Sequence, residues 1–379
     1  MASEQRFSIS IGSVLLLVAA VPLLVLLWQL RSLLLLVMIS IVLACSISPI
    51  VDWAEQYRVP RWLAVVLIYL SLIGGLVGVV LIIGPTVFEQ LERLVRQVPL
   101  SLRSLAGQLE AWVTNLNDTR PELTNEIFNQ LNVQGLISWI ARSSQQLLIR
   151  SYSLTAGILG GVFSLVLALF LSGYMLADSR TLSKNLTRLL PAPWDERIAA
   201  QIPPASERIG GYLRGRLLVS ALLTVITSIV LGFIGLKDFA VGLGAIAGVT
   251  NLIPFLGPIL GAVPALVVAI PQGGWTLLWV VILYVVIQNI ETYILDPLLV
   301  GSSVGVHPLY QLLAVLGGAQ VLGIIGALIV PPWVAGGAVL LENLYLRPKL
   351  MAERQRRREA NATQTELALS PVTLDSPVR

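Results

Sequence analysis

The chain has 379 residues, of which 56% are hydrophobic and only 12% are charged. A water-soluble domain carries about 25% charged residues, so this composition excludes an ordinary soluble fold and indicates a protein that uses lipid as its solvent. The net charge is only +4, and a small basic excess in a membrane protein marks cytoplasmic loops rather than nucleic-acid binding. The single cysteine, Cys45, excludes an internal disulfide.

Seven apolar segments have the length of about 20 residues that a continuous membrane-spanning helix needs. They are Ile11–Trp28, Leu33–Ile50, Trp62–Ile83, Leu154–Leu176, Leu217–Leu236, Trp275–Leu295 and Leu309–Ile329. An eighth segment, Phe239–Ile270, is interrupted by proline and glycine. We therefore predict an all-α, polytopic integral membrane protein with about eight membrane segments, one of them broken or re-entrant. The last span is predicted to continue as a tilted or kinked extension, Val334–Leu346, past Pro331 and Pro332.

Lys and Arg residues indicate the orientation of the chain. They are concentrated in the loop 178–216 and directly after the last span, from Arg347 to Arg358, so both regions are predicted to be cytoplasmic. The tail returns to the cytoplasm if Phe239–Ile270 crosses the membrane once. It also returns if that element folds back and another helix fails to cross. The sequence leaves both alternatives open. The predicted regions are N-terminal membrane helices (1–84), an extracytoplasmic helical segment (85–150), a transport core (151–346) and a disordered tail (347–379).

The segment 85–150 contains an apolar seam whose steps alternate between three and four residues. This spacing is typical of a coiled coil or of a long packed helix. Pro99 lies inside the seam and predicts a kink or break near Val98. Two interpretations stay open, namely packing at the membrane interface or on its own hairpin, and contact between protomers. The seam residues are Leu91, Val95, Val98, Leu102, Leu105 and Leu109.

The sequence contains no signature of an enzyme. It lacks the GxxxxGK[ST] phosphate-binding loop, and its single His and single Cys exclude the usual His–Cys metal clusters and Cys–His dyads. We therefore predict no enzymatic activity, no cofactor and no resident metal. His307, beside Pro308 at the start of a span, is interpreted as a structural or interfacial residue rather than as a proton relay.

Polar side chains at membrane depth carry most of the functional signal, because an ionisable group at the centre of a membrane helix costs about 2.5–3.5 kcal/mol. Gln288 and Glu291 lie three residues apart and share a helix face, and Asn289 flanks it. Asp296 precedes Pro297, where the helix should loosen and free backbone carbonyls. This group can hold a proton or a small cation, or can bind a polar solute. Alternatively, Glu291 only ties helices together.

The interrupted element supplies a second candidate region. Exposed backbone at membrane depth is tolerated only where it is buried in protein or lines a water-filled cavity, and discontinuous helices build substrate sites in secondary transporters. The alternative is a tight re-entrant turn that only packs. We consider Asn251 part of the transport site, and we predict a gate formed by the residues that break the helix. These residues are Pro254, Gly257, Pro258, Gly261, Pro264 and Pro297.

Several motifs occur in an order that resembles the autoinducer-2 exporter (AI-2E) family of bacterial membrane proteins. They are Arg208–Arg216, Asn251–Pro264, Gln288–Pro297, Gly301–Pro308 and Gly317–Pro331. The resemblance implies a homo-oligomer, such as a pentamer. It also implies a transport function, because members of the family export a signalling furanone or exchange sodium or lithium for protons. It also places family motif positions at Asn251, Pro254, Gly257, Pro258, Gln288, Glu291, Pro297, His307 and Pro308. Asp296 departs from the family pattern, where an apolar residue is expected.

These observations predict a gradient-driven transporter that exports a small solute across a bacterial inner membrane, with both termini in the cytoplasm. Glu291 would be the coupling or solute-binding carboxylate, and Asp296 an accessory group. A sodium(lithium)/proton antiporter is the first alternative, with the same architecture and a different cargo. The second is a non-transporting oligomeric scaffold, in which the outer helix does the work.

Overall fold

A computed structural model describes residues 22, 25, 26, 29–119, 163–301 and 307–369 of the chain. Within these ranges the chain forms helices and no strand, which confirms the all-α prediction. Two π-helical segments, Glu291–Gly301 and Glu342–Leu346, follow the ninth and tenth of the α-helices. The α-helices are α1 Arg31–Gln56, α2 Arg61–Thr119, α3 Phe163–Ala177, α4 Ser179–Thr187, α5 Trp194–Ala199, α6 Ile202–Ile234, α7 Ala240–Asn251, α8 Leu256–Ala269, α9 Gly274–Ile290, α10 Pro308–Leu341 and α11 Arg347–Leu369.

Five of the described helices are long and apolar enough to cross a bilayer, or six if the bent pair α3 and α4 forms one span. The predicted spans that lie in the described ranges fall on apolar helices, whereas most of Ile11–Trp28 lies outside those ranges. The chain is thus a multi-pass membrane protein. The count of about eight segments stays a prediction.

Helix α2 joins the third predicted span and the predicted outer helix into one element of 59 residues. It runs through Pro99, where the sequence predicts a kink, and ends at Thr119. Leu91 packs against the central core, while the other five seam side chains lie outside the described part, so the oligomer contact stays a prediction. Near the middle of α2, Gln90 Oε1 accepts a hydrogen bond of 2.7 Å from the backbone N–H of Gly242. That N–H lies in the first turn of α7 and has no partner within its own helix.

Helices α1 and α6 pack closely because of a proline and a glycine. Pro49 lies inside α1 and has no N–H, so the carbonyl of Cys45 has no helical partner. Arg214 of α6 donates to that carbonyl at 3.3 Å and to the carbonyl of Ser46 at 2.9 Å. Gly210 permits this approach, since a Cβ there would collide with the Cys45 carbonyl. Arg214 therefore holds two membrane helices together, although the sequence analysis assigned it to the cytoplasmic loop.

Helices α7 and α8 fold back on each other as an antiparallel pair, called hairpin 1. Phe255 makes the turn in the left-handed region, with φ of 65°. A Cβ on Gly257 would lie 2.5 Å from the Cα of Asn251, and a Cβ on Gly261 would lie 2.9 Å from the Cα of Ala247. The arms contain 12 and 14 residues, or about 18 and 21 Å, so each is shorter than the hydrocarbon core of about 30 Å. Of the two alternatives for this element, the structure has the one that folds back.

Helix α10 also reverses direction, which the sequence analysis did not predict for Leu309–Ile329. Its backbone leaves the helical region at Gly323, with φ of 70° and ψ of −157°. A Cβ on Gly318 would collide with the carbonyl of Gly326 and would lie 3.0 Å from Val330 Cγ2. Residues 8 apart in an uninterrupted helix are separated by about 12 Å, so the two arms of α10 must be antiparallel. We call this pair hairpin 2. The helix continues through Pro331 and Pro332, and the kink expected there stays a prediction.

The tip of hairpin 1 packs between the two arms of hairpin 2. Ile253 at the tip of hairpin 1 packs in one apolar cluster with Val315 and Ala327, which lie on opposite arms of hairpin 2. If hairpin 1 does not cross, one further segment must also fail to cross for the tail to be cytoplasmic, and the reversal at Gly323 makes α10 a candidate. The cytoplasmic location of the termini stays a prediction.

A hydrogen bond between α2 and α3 provides a test of the N-terminal packing. Tyr69 Oη and Ser172 Oγ lie 2.6 Å apart, and both side chains are buried. Tyr69→Phe should lower the free energy of unfolding by about 1 kcal/mol, because Ser172 can still donate to the Leu169 carbonyl. Thermal unfolding in detergent would measure the loss. A variant as stable as the wild type would show that this bond contributes nothing.

Candidate functional site

A buried arginine forms the centre of a charge cluster where α6, hairpin 1 and the segment Glu291–Gly301 meet. Arg216 is 1% exposed and lies near the middle of the 33-residue helix α6. Its Nη1 atom is 2.9 Å from Glu291 Oε1 and 3.1 Å from Asp296 Oδ1. From the sequence, Arg216 is predicted only to end the cytoplasmic loop and has no predicted role in the site. In the structure it is the residue that brings both carboxylates together.

The π-helical form of Glu291–Gly301 explains how both carboxylates reach one arginine. They are separated by five residues, which in an α-helix would point them about 140° apart. A π-helix pairs residue i with residue i+5, so it brings Glu291 and Asp296 onto one side. Pro297, which cannot continue an α-helical hydrogen-bond ladder, lies within this segment. The loosening that the sequence analysis predicted here therefore takes the form of wider turns.

Asn251 completes the cluster from the tip of hairpin 1. It is 2% exposed, and its amide nitrogen faces Glu291, donating to Oε1 and Oε2 at 3.1 Å each. This amide orientation follows from the hydrogen-bond network, because the opposite one would turn the amide oxygen toward two carboxylate oxygens. Glu291 thus receives charge-assisted hydrogen bonds from two different elements, and its position is strongly constrained.

The cluster carries one more negative charge than positive when both carboxylates are ionised. Arg216 contributes +1, and Glu291 and Asp296 contribute −1 each. The side chain of Glu291 is 3% exposed, whereas that of Asp296 is 38% exposed, so the second carboxylate is accessible from outside the cluster. The buried pair of Arg216 and Glu291 balances itself, so the excess negative charge lies on Asp296, where a counter-ion can reach it. One proton or one monovalent cation would balance it.

The other polar residues predicted for the transport site do not join this cluster. Gln288 Nε2 donates to Thr292 Oγ1 at 3.1 Å, and Asn289 Nδ2 donates to the Val285 carbonyl at 2.7 Å. Both interactions lie on the exposed side of α9. His307 caps α10, where its Nδ1 accepts from the N–H of Leu309 at 3.2 Å. The interpretation of His307 as a structural or interfacial residue stays a prediction.

The residues predicted to form the gate are divided between hairpin 1 and the segment after α9. Pro254 lies buried in the turn of hairpin 1, and the glycines of that hairpin allow its arms to touch. Pro258 and Pro264 lie within α8, and Pro297 lies within Glu291–Gly301, one residue after Asp296. The break in the helix therefore positions Asn251 against Glu291.

Helix α6 links the cluster to hairpin 2 as well. Tyr212, one turn before Arg216 on α6, is 1% exposed, and its hydroxyl accepts a hydrogen bond of 3.4 Å from Gln311 Nε2 of α10. Gly215 allows α6 to lie directly against the carbonyl of Leu299, where a Cβ would collide. A movement of either hairpin relative to α6 would therefore change the surroundings of Arg216.

Comparison with known proteins shows similarity along most of the chain. The family described as AI-2E family transporter matches residues 16–354. YrrI of Bacillus subtilis strain 168 is 32% identical over 78% of this chain and 82% of its own length. YueF of the same organism is 28% identical over 84% of this chain and 85% of its own length. The names of both relatives assign them provisionally to transport.

A more distant relative carries a more specific name. A protein of Halobacillus andaensis, named sodium-lithium/proton antiporter, is 25% identical over 77% of this chain and 84% of its own length.

Within the part of the chain that the structure describes, no group of three or more His, Cys, Asp and Glu side chains comes together as a metal site.

Proposed function

The chain belongs to the AI-2E transporter family, and from that premise we propose that it exchanges a monovalent cation, sodium or lithium, for protons across a bacterial inner membrane. The unbalanced negative charge at Arg216, Glu291 and Asp296 carries this proposal. Because only one unit of positive charge is missing, a proton and a monovalent cation compete for the same place. Competition of this kind is the requirement for one-to-one exchange at a single site.

The relative named as an antiporter supports the choice of cargo, and the two hairpins support the mode of access. The tip of hairpin 1, which also carries Asn251, packs through Ile253 against Val315 and Ala327 on the two arms of hairpin 2. Separation of either hairpin from α6 would open the cluster toward one side of the membrane while the other hairpin keeps it closed. Alternating access of this kind uses discontinuous helices that meet at mid-membrane.

The cellular arrangement is part of the same proposal. Both termini would be cytoplasmic, since the exposed helix α11 begins with a dense group of basic residues directly after the last apolar helix. The transporter would form a homo-oligomer, because the three-and-four spacing of the apolar residues in α2 is the pattern of a helix that packs against others along its length.

Exchange can be measured with purified protein in liposomes that enclose a pH-sensitive dye. External sodium or lithium chloride should raise the internal pH, because protons leave as cations enter, whereas choline chloride should not. Glu291→Gln should reduce this exchange at least about tenfold. It removes the charge for which proton and cation compete and leaves Arg216 paired with Asp296.

The matched control is Glu92→Gln, the same chemical change at an exposed carboxylate of α2, which should exchange like the wild type. If the Glu291→Gln protein is folded and exchanges normally, the assignment of the site is wrong. If the wild type responds only to an organic solute, the cargo is that of an exporter. If the folded wild type responds to no cargo, the scaffold alternative gains support.

A further inference from the structure

Two polar atoms beside the charge cluster have no hydrogen-bond partner among the described residues. They are Arg216 Nε and Ser220 Oγ, on side chains that are 1% and 6% exposed. Arg216 and Ser220 lie four residues apart on α6 and therefore share one face of the helix. A buried donor or hydroxyl without a partner costs free energy, and two of them side by side at a functional site require an explanation.

The behaviour of other hydroxyl groups makes Ser220 unusual. Serine and threonine in helices commonly donate to the carbonyl four residues earlier. In this protein Ser40, Ser46, Thr224 and Ser228 all do so, at 2.7 to 2.8 Å. Thr227 does not, but it lies about two turns farther along α6 from the charge cluster. The hydroxyl of Ser220 does not either, although Ser220 is about as buried as Ser40 and Ser46. Its oxygen is available to a group that is neither its own helix nor another described side chain.

We propose that Arg216 Nε and Ser220 Oγ together bind one oxygen atom that accompanies the cargo, namely a water molecule kept by the transported cation. Arg216 Nε–H can only donate, whereas the hydroxyl of Ser220 can donate or accept, so an oxygen atom satisfies both groups. The carboxylates then supply the charge that the cation requires, and this pair holds part of its hydration shell. The inference rests on the function proposed above and names the cargo as a partly hydrated monovalent cation.

The test compares two hydroxyl groups of the same kind. Thr227 Oγ1 is also buried and without a partner among the described residues, but Thr227 lies seven residues beyond Ser220, or about 10 Å along α6. Ser220→Ala should raise the KM for sodium and lithium about tenfold and change kcat little. Thr227→Val should leave both constants unchanged.

Stability separates this role from a structural one. Since neither hydroxyl is bonded within the described protein, both variants should unfold at the wild-type temperature or above it. An unchanged KM in Ser220→Ala, or a KM change accompanied by a clear loss of stability, would overturn the inference. If the wild type exchanges no cation, the proposed function fails instead. In that case the KM of Ser220→Ala is measured for whatever other solute the wild type transports. A raised KM for that solute would still support an oxygen-binding pair, and an unchanged KM would overturn it.

Discussion

Replacing Arg216 by methionine is expected to destabilise the protein more than any other single change in the cluster. The variant leaves Glu291 buried without a countercharge, and removal of one partner of a buried ion pair costs about 3–5 kcal/mol. Glu291→Gln alone should cost much less, because Asp296 remains to balance Arg216. Thermal unfolding of the purified proteins in detergent would compare the two variants.

The double variant Arg216→Met with Glu291→Gln separates stability from transport. Only Asp296 then remains charged, and its side chain is 38% exposed, so it can be solvated or protonated at low cost. We expect most of the lost stability to return while cation exchange stays at background. A double variant with wild-type exchange would show that the cluster only ties α6 to its neighbours. If the double variant is as unstable as Arg216→Met, the buried charge of Glu291 is not the cause of the instability of Arg216→Met.

A leucine at Gly318 is expected to prevent hairpin 2 from closing. The added side chain would begin in collision with the backbone carbonyl of Gly326, and backbone atoms cannot move aside as the end of a flexible side chain can. Overpacking of a core typically costs about 1–3 kcal/mol, and a collision with backbone should reach or exceed the upper end. We expect little monodisperse protein in size-exclusion chromatography and no cation exchange.

The adjacent glycine provides the control. No atom lies within 4 Å of a Cβ built on Gly317, and this residue is exposed, so Gly317→Leu should purify and exchange like the wild type. The two variants carry the same change one residue apart, which removes any effect of glycine content or helix propensity. Equal behaviour of the two proteins would contradict the antiparallel arrangement of α10.

Features that depend on composition and length can be predicted from the sequence. Apolar segments of membrane-spanning length are visible in any single sequence, and Glu291 stands out because a carboxylate among apolar residues is expensive. The density of proline and glycine between Asn251 and Pro264 correctly marked a broken element. Each of these inferences uses residues close together in the chain.

The features that the sequence analysis missed depend on contacts across the fold. Arg216 directly precedes an apolar segment, so it resembles an ordinary cytoplasmic arginine until α6 is seen to begin 14 residues earlier, at Ile202. α-Helical spacing predicts that Gln288 and Glu291 share one face, whereas the π-helical segment brings Asp296 to the same side as Glu291. Gly323 escaped notice because glycine lies within many membrane helices without breaking them.

The length of α2 has a mechanical consequence. Gln90 fastens this helix to the first turn of α7, and Thr119 lies 29 residues farther along the same helix. That distance is a lever arm of about 44 Å, so a tilt of about 5° at Gln90 would displace the far end by about 4 Å. Conversely, a force applied far from the charge cluster would reach the arm of hairpin 1 that carries Asn251 through this hydrogen bond and through the apolar packing of Leu91 and Leu94.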